Sequence, residues 1–245
     1  MMEAVGAAGL ALMGAAVLVG AATQRLTGIG FSLVAAPLLV LATGPHLGVL
    51  LANALAFCTN LLLLAQVWRD VQPRRVALLA VPALLAFPLG LWTAAVVPAP
   101  ALMVGIGALS VAALLAVQHA RKLGIFHGWG GAVGAGAVSG FMTVTAGIGG
   151  PAVTIYALGS GWGHRAFVGS IQLYFAIVNG SSVLAKGLPP IGLAEAALLL
   201  GALGAGLLLG QRLAPHVPAE RGRQAALALA IAGSLATIAK GLSGG

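Results

Sequence analysis

Apolar residues follow one another in long runs along this chain, interrupted by short clusters of charges, prolines and glycines. Most of these runs are long enough to cross the roughly 30 Å hydrocarbon core of a bilayer as helices. None alternates polar and apolar residues as a membrane β-strand does. The pattern therefore predicts an all-α integral membrane protein. It has ten apolar segments, at 4–24, 31–43, 46–67, 76–96, 100–118, 129–145, 151–161, 166–185, 192–211 and 222–239.

Two of the segments, 31–43 and 151–161, are too short to cross a bilayer as straight helices. A helix rises about 1.5 Å per residue, so the longer of the two reaches only about 20 Å. Each follows a glycine-rich break, Gly28-Ile29-Gly30 in one case and Gly147-Ile148-Gly149 in the other. We interpret both segments as short helices after the breaks, either re-entrant elements or tilted spans.

The sequence repeats itself at an offset of 119 residues. Rare polar residues and glycine pairs carry the repeat: Gly28 and Gly30 align with Gly147 and Gly149, Asn60 with Asn179, and Asn53 with Gln172. The alignment predicts two transmembrane repeats, 1–119 and 120–245, of about five segments each. Because five is an odd number, the two repeats would cross the membrane in opposite directions, as inverted repeats do in many transporters.

Composition and charge agree with a membrane location. The chain is 60% hydrophobic and 7% charged, with a net charge of +8. Such a charge would suggest nucleic acid in a soluble protein, but here the bases lie between apolar runs, which excludes that partner and leaves the lipid bilayer. If every segment reverses the chain, ten bases fall on one face and two, Lys186 and Lys240, on the other. The positive-inside rule then predicts a multi-pass protein of the bacterial inner membrane with both termini on the non-cytoplasmic side.

The two glycine-rich breaks form the first candidate site. A glycine break exposes backbone N–H groups, and the helix that follows directs its positive dipole end at the break. Two such breaks, related by a twofold axis, would bind an anion near the centre of the protein. The alternative is that the glycines only permit close helix crossing. The candidate substrate-binding residues here are Arg25, Thr27, Gly28, Gly30 and Ser32 from the first break, and Thr145, Gly147, Gly149, Gly150 and Pro151 from the second.

Four amides form the second candidate site. Asn53 and Asn60 are seven residues apart and so share a helix face, and Gln172 and Asn179 repeat that spacing. An amide in hydrocarbon is costly unless it bonds across helices or lines a cavity. These amides are therefore either substrate-binding residues or interhelical contacts.

The role of Arg25 has two readings. It is either a cytoplasmic loop cation or, if the first hairpin is re-entrant, a cation at its tip that faces the anion. All four acids, Glu3, Asp70, Glu195 and Glu220, fall at segment ends or in loops. A carboxylate proton relay is therefore not expected, and an anion can leave the negative interior of a cell without one. No pattern of catalytic residues, metal ligands or cofactor-binding loops occurs, so the sequence does not indicate an enzyme.

The chain resembles the TauE/SafE sulfite exporter family, also called the 4-toluene sulfonate uptake permease family. The resemblance rests on Thr27-Gly28-Ile29-Gly30-Phe31 followed by Ala36-Pro37-Leu38-Leu39, and on Gly147-Ile148-Gly149-Gly150-Pro151 with a later segment opening at Arg165. Phe31 and Ser32 stand where many relatives carry further glycines. The resemblance implies transport of sulfite, sulfonates or related organosulfur anions, with substrate contacts from both glycine-rich motifs.

Three functions follow as hypotheses. The first is a secondary transporter that exports a small anion, sulfite or an organosulfonate, by alternating access between inverted repeats. The second is a proton- or sodium-coupled uptake carrier of organosulfur anions. The third is a non-transporting membrane scaffold subunit, against which the duplicated amides and helix breaks argue. The sequence does not indicate the oligomeric state.

Overall fold

A computed structural model describes residues 6–27, 31–119 and 126–244, and within these ranges every regular element is helical. Seven helical stretches in this described part of the chain are long and apolar enough to cross a bilayer. This confirms the predicted all-helical, multi-pass membrane fold. The helices are α1 (Ala7–Thr27), α2 (Phe31–Thr43), α3 (Pro45–Val67), α4 (Pro73–Leu85), α5 (Phe87–Val96), α6 (Ala99–Gln118), α7 (Gly128–Ala146), α8 (Gly150–Gly159), α9 (His164–Lys186), α10 (Leu193–Leu213) and α11 (Ala219–Leu242), with a single 3₁₀ turn at Trp68–Asp70.

Two of the predicted segments have different bounds in the structure. The segment 76–96 is not one helix but two, α4 and α5, separated at Ala86. Pro88 has no N–H to continue the helical ladder, so the chain starts a new helix there. The first segment was predicted to end at residue 24, but α1 continues to Thr27. Arg25 therefore lies in the last turn of a helix rather than in a loop.

Helix boundaries recur at the offset seen in the sequence. Helices α3 and α9 both have 23 residues and start at Pro45 and His164, which are 119 residues apart. Helices α1 and α7 end, and α2 and α8 begin, at the same offset. A duplicated fold requires such agreement, although the direction of the two halves stays a prediction. The predicted boundary between 119 and 120 adjoins residues 120–125, which lie outside the described residues.

The two halves of the chain interlock. Helix α10 packs along α1, and α7 packs along α4 and α5, so each half contributes its fourth segment to the other half. Helices α3 and α9 pack against each other between these groups. Small residues allow the close approach, as is usual between membrane helices. Glycines of α10 and α7 lie directly against backbone carbonyls of the facing helix, namely Gly206 on Leu18, Gly210 on Ala22, Gly136 on Leu79 and Gly140 on Ala83.

Two glycines of α10 offer a matched test of this packing. A Cβ on Gly206 would overlap the Leu18 carbonyl oxygen, whereas a Cβ on Gly204 would meet nothing within 4 Å. Gly206→Ala should therefore lower the midpoint of thermal unfolding in detergent by an amount equivalent to about 1–3 kcal/mol, the usual cost of overpacking. Gly204→Ala should leave it unchanged or raise it, because alanine is the better helix former. Equal midpoints for the two variants would contradict the α1–α10 contact.

Candidate functional site

The second glycine-rich break ends α7 and begins α8. Gly147 has a φ of +72°, a left-handed conformation that favours glycine, and its N–H bonds to the Thr143 carbonyl at 3.0 Å. The next N–H, that of Ile148, bonds to the Met142 carbonyl at 3.3 Å, so the chain closes the end of α7 with backbone bonds as at other left-handed helix caps. Helix α8 starts three residues later at Gly150, with Pro151 in its first turn. The first N–H groups of α8 have no carbonyl to bond within the helix, so they are available to a ligand at the break.

Gly149 lies against one face of α7. A Cβ at this position would overlap the Thr143 hydroxyl oxygen and lie 2.7 Å from Ser139 Oγ and 2.9 Å from the Ser139 carbonyl oxygen. No larger side chain fits without displacing the end of α7 from the start of α8. The break therefore depends on glycine at this position for close packing, in addition to the backbone freedom used at Gly147.

The start of α2 lies on the other side of the same site. The Phe31 N–H donates to the Gln24 side-chain oxygen at 3.0 Å, so a residue of α1 holds the first turn of α2 in place. Ser32 and Leu33 follow in that turn. Gly28 and Gly30 lie outside the described residues. Thr27 ends α1, and its side chain is also outside the described part.

A cavity of about 40 Å³ lies where these elements meet. A buried water needs about 10–15 Å³ by this measure, so the space suits a few waters or a small polyatomic anion. The cavity is bounded by α1, the start of α2, the second break and the middle turns of α3 and α9. Its lining residues are Gln24, Phe31, Ser32, Leu33, Ala56, Thr59, Asn60, Gly147, Ile148, Gly149, Gly150, Ile171, Gln172, Phe175 and Asn179.

Three of the four predicted amides line this cavity. Asn60, Gln172 and Asn179 are only 3–4% exposed. Asn60 and Asn179 make no side-chain hydrogen bond to any described residue, and the Gln172 side-chain oxygen is buried without a partner there. Burying an amide without hydrogen bonds is costly. The three side chains are thus free to bond a polar occupant of the cavity.

The fourth amide has a different environment. The Asn53 Nδ2 donates to the Thr143 carbonyl at 3.1 Å and to Ser182 Oγ at 2.8 Å. It therefore connects α3 with α7 and α9, just beside the cavity. Its Oδ1 lies 3.6 Å from the point that a Cβ on Gly147 would occupy, so Asn53 packs against the break.

Three further predicted residues do not reach the cavity. The Thr145 hydroxyl donates to the Phe141 carbonyl of its own helix at 2.7 Å. Pro151 is buried in the first turn of α8 without lining the space. Arg25 packs with its Cβ next to Gly210 of α10. The structure thus brings together Ser32, Asn60, Gly147, Gly149, Gly150, Gln172 and Asn179.

Gln24 and Thr59 line the cavity but were not predicted as site residues. Gln24 stands next to Arg25 at the end of a predicted segment, where an amide is expected in any solvated loop. Its role depends on the hydrogen bond that it accepts from the Phe31 N–H, and only the structure shows that bond. The Thr59 hydroxyl bonds to the Leu55 carbonyl at 2.8 Å, as hydroxyls in membrane helices commonly do, so Thr59 gave no distinct signal.

Asn53→Ala should act on stability before it acts on ligand binding. The change removes both bonds of Nδ2 and leaves the buried Ser182 hydroxyl and the Thr143 carbonyl short of a donor, which typically costs about 1–3 kcal/mol. Thermal unfolding of the purified variant should show a lower midpoint, while Asn60→Ala, which breaks no such bond, should not. A larger loss for Asn60→Ala than for Asn53→Ala would reverse these two assignments.

The site presents hydrogen-bond donors and helix N-termini without a charged side chain. None of the described lining residues carries a charge. The groups that can face an anion are the N-terminal ends of α2 and α8, each equivalent to about half an elementary charge, and the amide N–H donors. Within the described residues no group of His, Cys, Asp or Glu could hold a metal ion. The arrangement can bind a small anion through neutral donors.

A protein-family model matches most of the chain. The model described as sulfite exporter TauE/SafE matches residues 12–237, which is nearly the whole chain. Comparison with curated proteins gives no match, and neither does comparison with solved structures.

Proposed function

The chain belongs to the sulfite exporter TauE/SafE family, and from that premise we propose that it is a secondary transporter of a small sulfur oxyanion, sulfite or a small organosulfonate. The observation that carries the proposal is the cavity at which two helix N-termini meet three amides that have no partner among the described residues. Each of these groups can donate a hydrogen bond, and an oxyanion presents only acceptors. The chemistry of the lining therefore matches the chemistry of the family's substrates.

The depth of the cavity supports a role in transport. Helices α3 and α9, with 23 residues each, extend about 34 Å and so cross a bilayer completely. The cavity is lined from their middle turns, by Thr59 and Asn60 on α3 and by Gln172 and Asn179 on α9. A binding site halfway across the membrane is the usual position in secondary transporters.

The neutral lining also suits a molecule that must release its substrate. A fixed cation in contact with the anion would hold it strongly in a low-dielectric interior. Helix ends and amides stabilise the charge less, which allows both uptake from one side and release on the other. Sulfite and related anions are small enough to share the available space with few waters.

Alternating access between inverted repeats is the mechanism we infer. The repeat of helix boundaries at 119 residues and the exchange of α4–α5 and α10 between halves support two structurally equivalent units. The cavity lies between these units, with α2 and α3 from one and α8 and α9 from the other. Rocking one unit against the other would expose the cavity to the two sides in turn.

Export is the direction that the acids favour. Asp70 lies in the 3₁₀ turn after α3 and Glu195 in the first turn of α10, so neither stands in the middle of a span. An anion that leaves a cell gains about 2.3 kcal/mol per charge for each 100 mV of negative potential inside. The bacterial inner membrane supplies such a potential, so efflux requires no proton-carrying carboxylate.

Thermal unfolding in detergent tests the binding part of this proposal. A ligand that binds only the folded protein raises the unfolding midpoint by mass action. Sulfite or a small sulfonate should raise it at millimolar concentration, whereas acetate at equal ionic strength should not. An equal shift with every anion would indicate a salt effect, and no shift with any of them would favour a scaffold over a transporter.

A further inference from the structure

One face of α9 continues beyond the cavity to a lysine. Gln172, Asn179 and Lys186 follow one another at intervals of seven residues, so they lie on the same side of the helix. Ser182 lies between the last two on that face. Lys186 ends the helix about 10 Å beyond Asn179, by the rise of seven helical residues. The polar side of α9 therefore leads from the middle of the bundle to one of its ends.

Lys186 is a half-buried cation without a paired acid. Its ammonium donates to the Val144 carbonyl in the last turn of α7, and no carboxylate of the described residues forms an ion pair with it. Glu195, the next acid along the chain, instead has its carboxylate against the backbone of Gly192. An ammonium has three donors, so at least one remains for an anion.

The cation is not explained by the charge distribution of the chain. The alternation of the predicted segments assigns Lys186 and Lys240 to the face opposite to the other ten bases, so the positive-inside rule gives no reason for either. Lys240 donates to the Leu41 carbonyl at 3.0 Å, in the last turn of α2. Both lysines thus stabilise the carboxyl end of a helix. Only Lys186, however, belongs to a helix that lines the cavity.

A closed contact separates Lys186 from the cavity. Ser182 is fully buried and accepts the 2.8 Å bond from Asn53, which also bonds to the Thr143 carbonyl. These bonds join α3 to α7 and α9 between the level of Asn179 and that of Lys186. Alternating access requires such a closed point on at least one side of a central site.

We propose that Lys186 is a second anion-binding station, at the end of the bundle where α9 ends, and that an anion passes between it and the cavity when the Asn53–Ser182 contact opens. This inference rests on the proposed anion transport. The positive-inside rule assigns that end to the non-cytoplasmic side, where an exported oxyanion is released. The ammonium stabilises the anion on its way between the cavity and water. Its bond to the Val144 carbonyl holds it beside the last turn of α7.

Sulfite flux in proteoliposomes separates this role from simple helix capping. Lys186→Met should raise the KM for sulfite by about tenfold, the loss expected for one partly screened charge, with a smaller change in the maximal rate. Lys240→Met removes an equivalent capping bond, the one to the Leu41 carbonyl, but Lys240 lies on α11, which does not line the cavity, so KM should stay unchanged. Lys186→Arg should keep KM within about twofold, because the charge remains.

Chemical restoration of the charge distinguishes the loss of the cation from a folding defect. In a Cys58→Ala background, Lys186→Cys should regain a low KM after reaction with aminoethyl methanethiosulfonate, which restores a cation, but not after reaction with the neutral methyl reagent. An unchanged KM in Lys186→Met, or equal rescue by both reagents, would overturn the station and leave the cavity site standing. Absence of sulfite flux in the unmodified protein would instead refute the proposed transport itself.

Discussion

Gly149→Ala should abolish anion flux. The added Cβ would overlap the Thr143 hydroxyl and approach both oxygens of Ser139, so α7 and α8 must separate at the break. The N-terminal end of α8 and the amides of α3 and α9 would then no longer meet around one cavity. Because a displacement of about 1 Å can cost a hundredfold in a positioned site, flux in proteoliposomes should fall at least that far.

A glycine outside the site provides the control for this result. Gly201 of α10 lies in a helix, and a Cβ there would meet nothing within 4 Å. Gly201→Ala should keep wild-type flux, which shows that adding a methyl group to a membrane helix is tolerated. Both variants should elute as monodisperse protein on gel filtration. Wild-type flux in Gly149→Ala would mean that this break does not bind the anion.

Asn60→Ala and Asn179→Ala should each lower sulfite binding without lowering stability. Each removes one amide donor to an anion, and hydrogen bonds to charged groups contribute about 1.5–3 kcal/mol. Affinity should therefore fall by about tenfold to a hundredfold in each variant, and by more in the double variant. Stability should stay the same, because neither side chain bonds to another described residue.

Gln66→Ala is the matched control for the amides. Gln66 lies on α3, as Asn60 does, but its side chain is exposed and, among the described residues, bonds only to the Leu62 carbonyl of its own helix. Its loss should change neither affinity nor flux. If Asn60→Ala and Asn179→Ala bind sulfite as the unmodified protein does, the cavity amides take no part in recognition, and the helix ends would have to act alone.

The sequence predicted the membrane fold because hydrophobicity is the dominant signal in a bilayer protein. Even the short helices were recognised, since α2 begins and ends where the apolar segment 31–43 does. The break at Ala86 was missed because residues 76–96 form one apolar run, in which a proline kink and a helix end have the same sequence pattern. In the structure α5 begins at Phe87 with Pro88 in its first turn, so the run contains a helix end.

The candidate site could be predicted only in part, because its residues are selected by tertiary contacts. Asn53 and Asn60 share a face of α3 and look equivalent in the sequence. The Nδ2 group of Asn53 donates to Ser182 and to the end of α7, whereas Asn60 faces the cavity. Arg25 was ambiguous for a similar reason. Its position depends on its contact with Gly210 of α10, a helix from the other half of the chain.

Sulfite efflux from proteoliposomes at a controlled membrane potential tests the central claim most directly. Liposomes that contain purified protein and sulfite should lose sulfite faster than protein-free liposomes, in a saturable manner, and faster still when a potassium gradient with valinomycin makes the interior negative. Gly149→Ala should abolish this efflux. Efflux no faster than from empty liposomes, or a rate unaffected by Gly149→Ala, would contradict the assignment of the cavity as the anion site of a transporter.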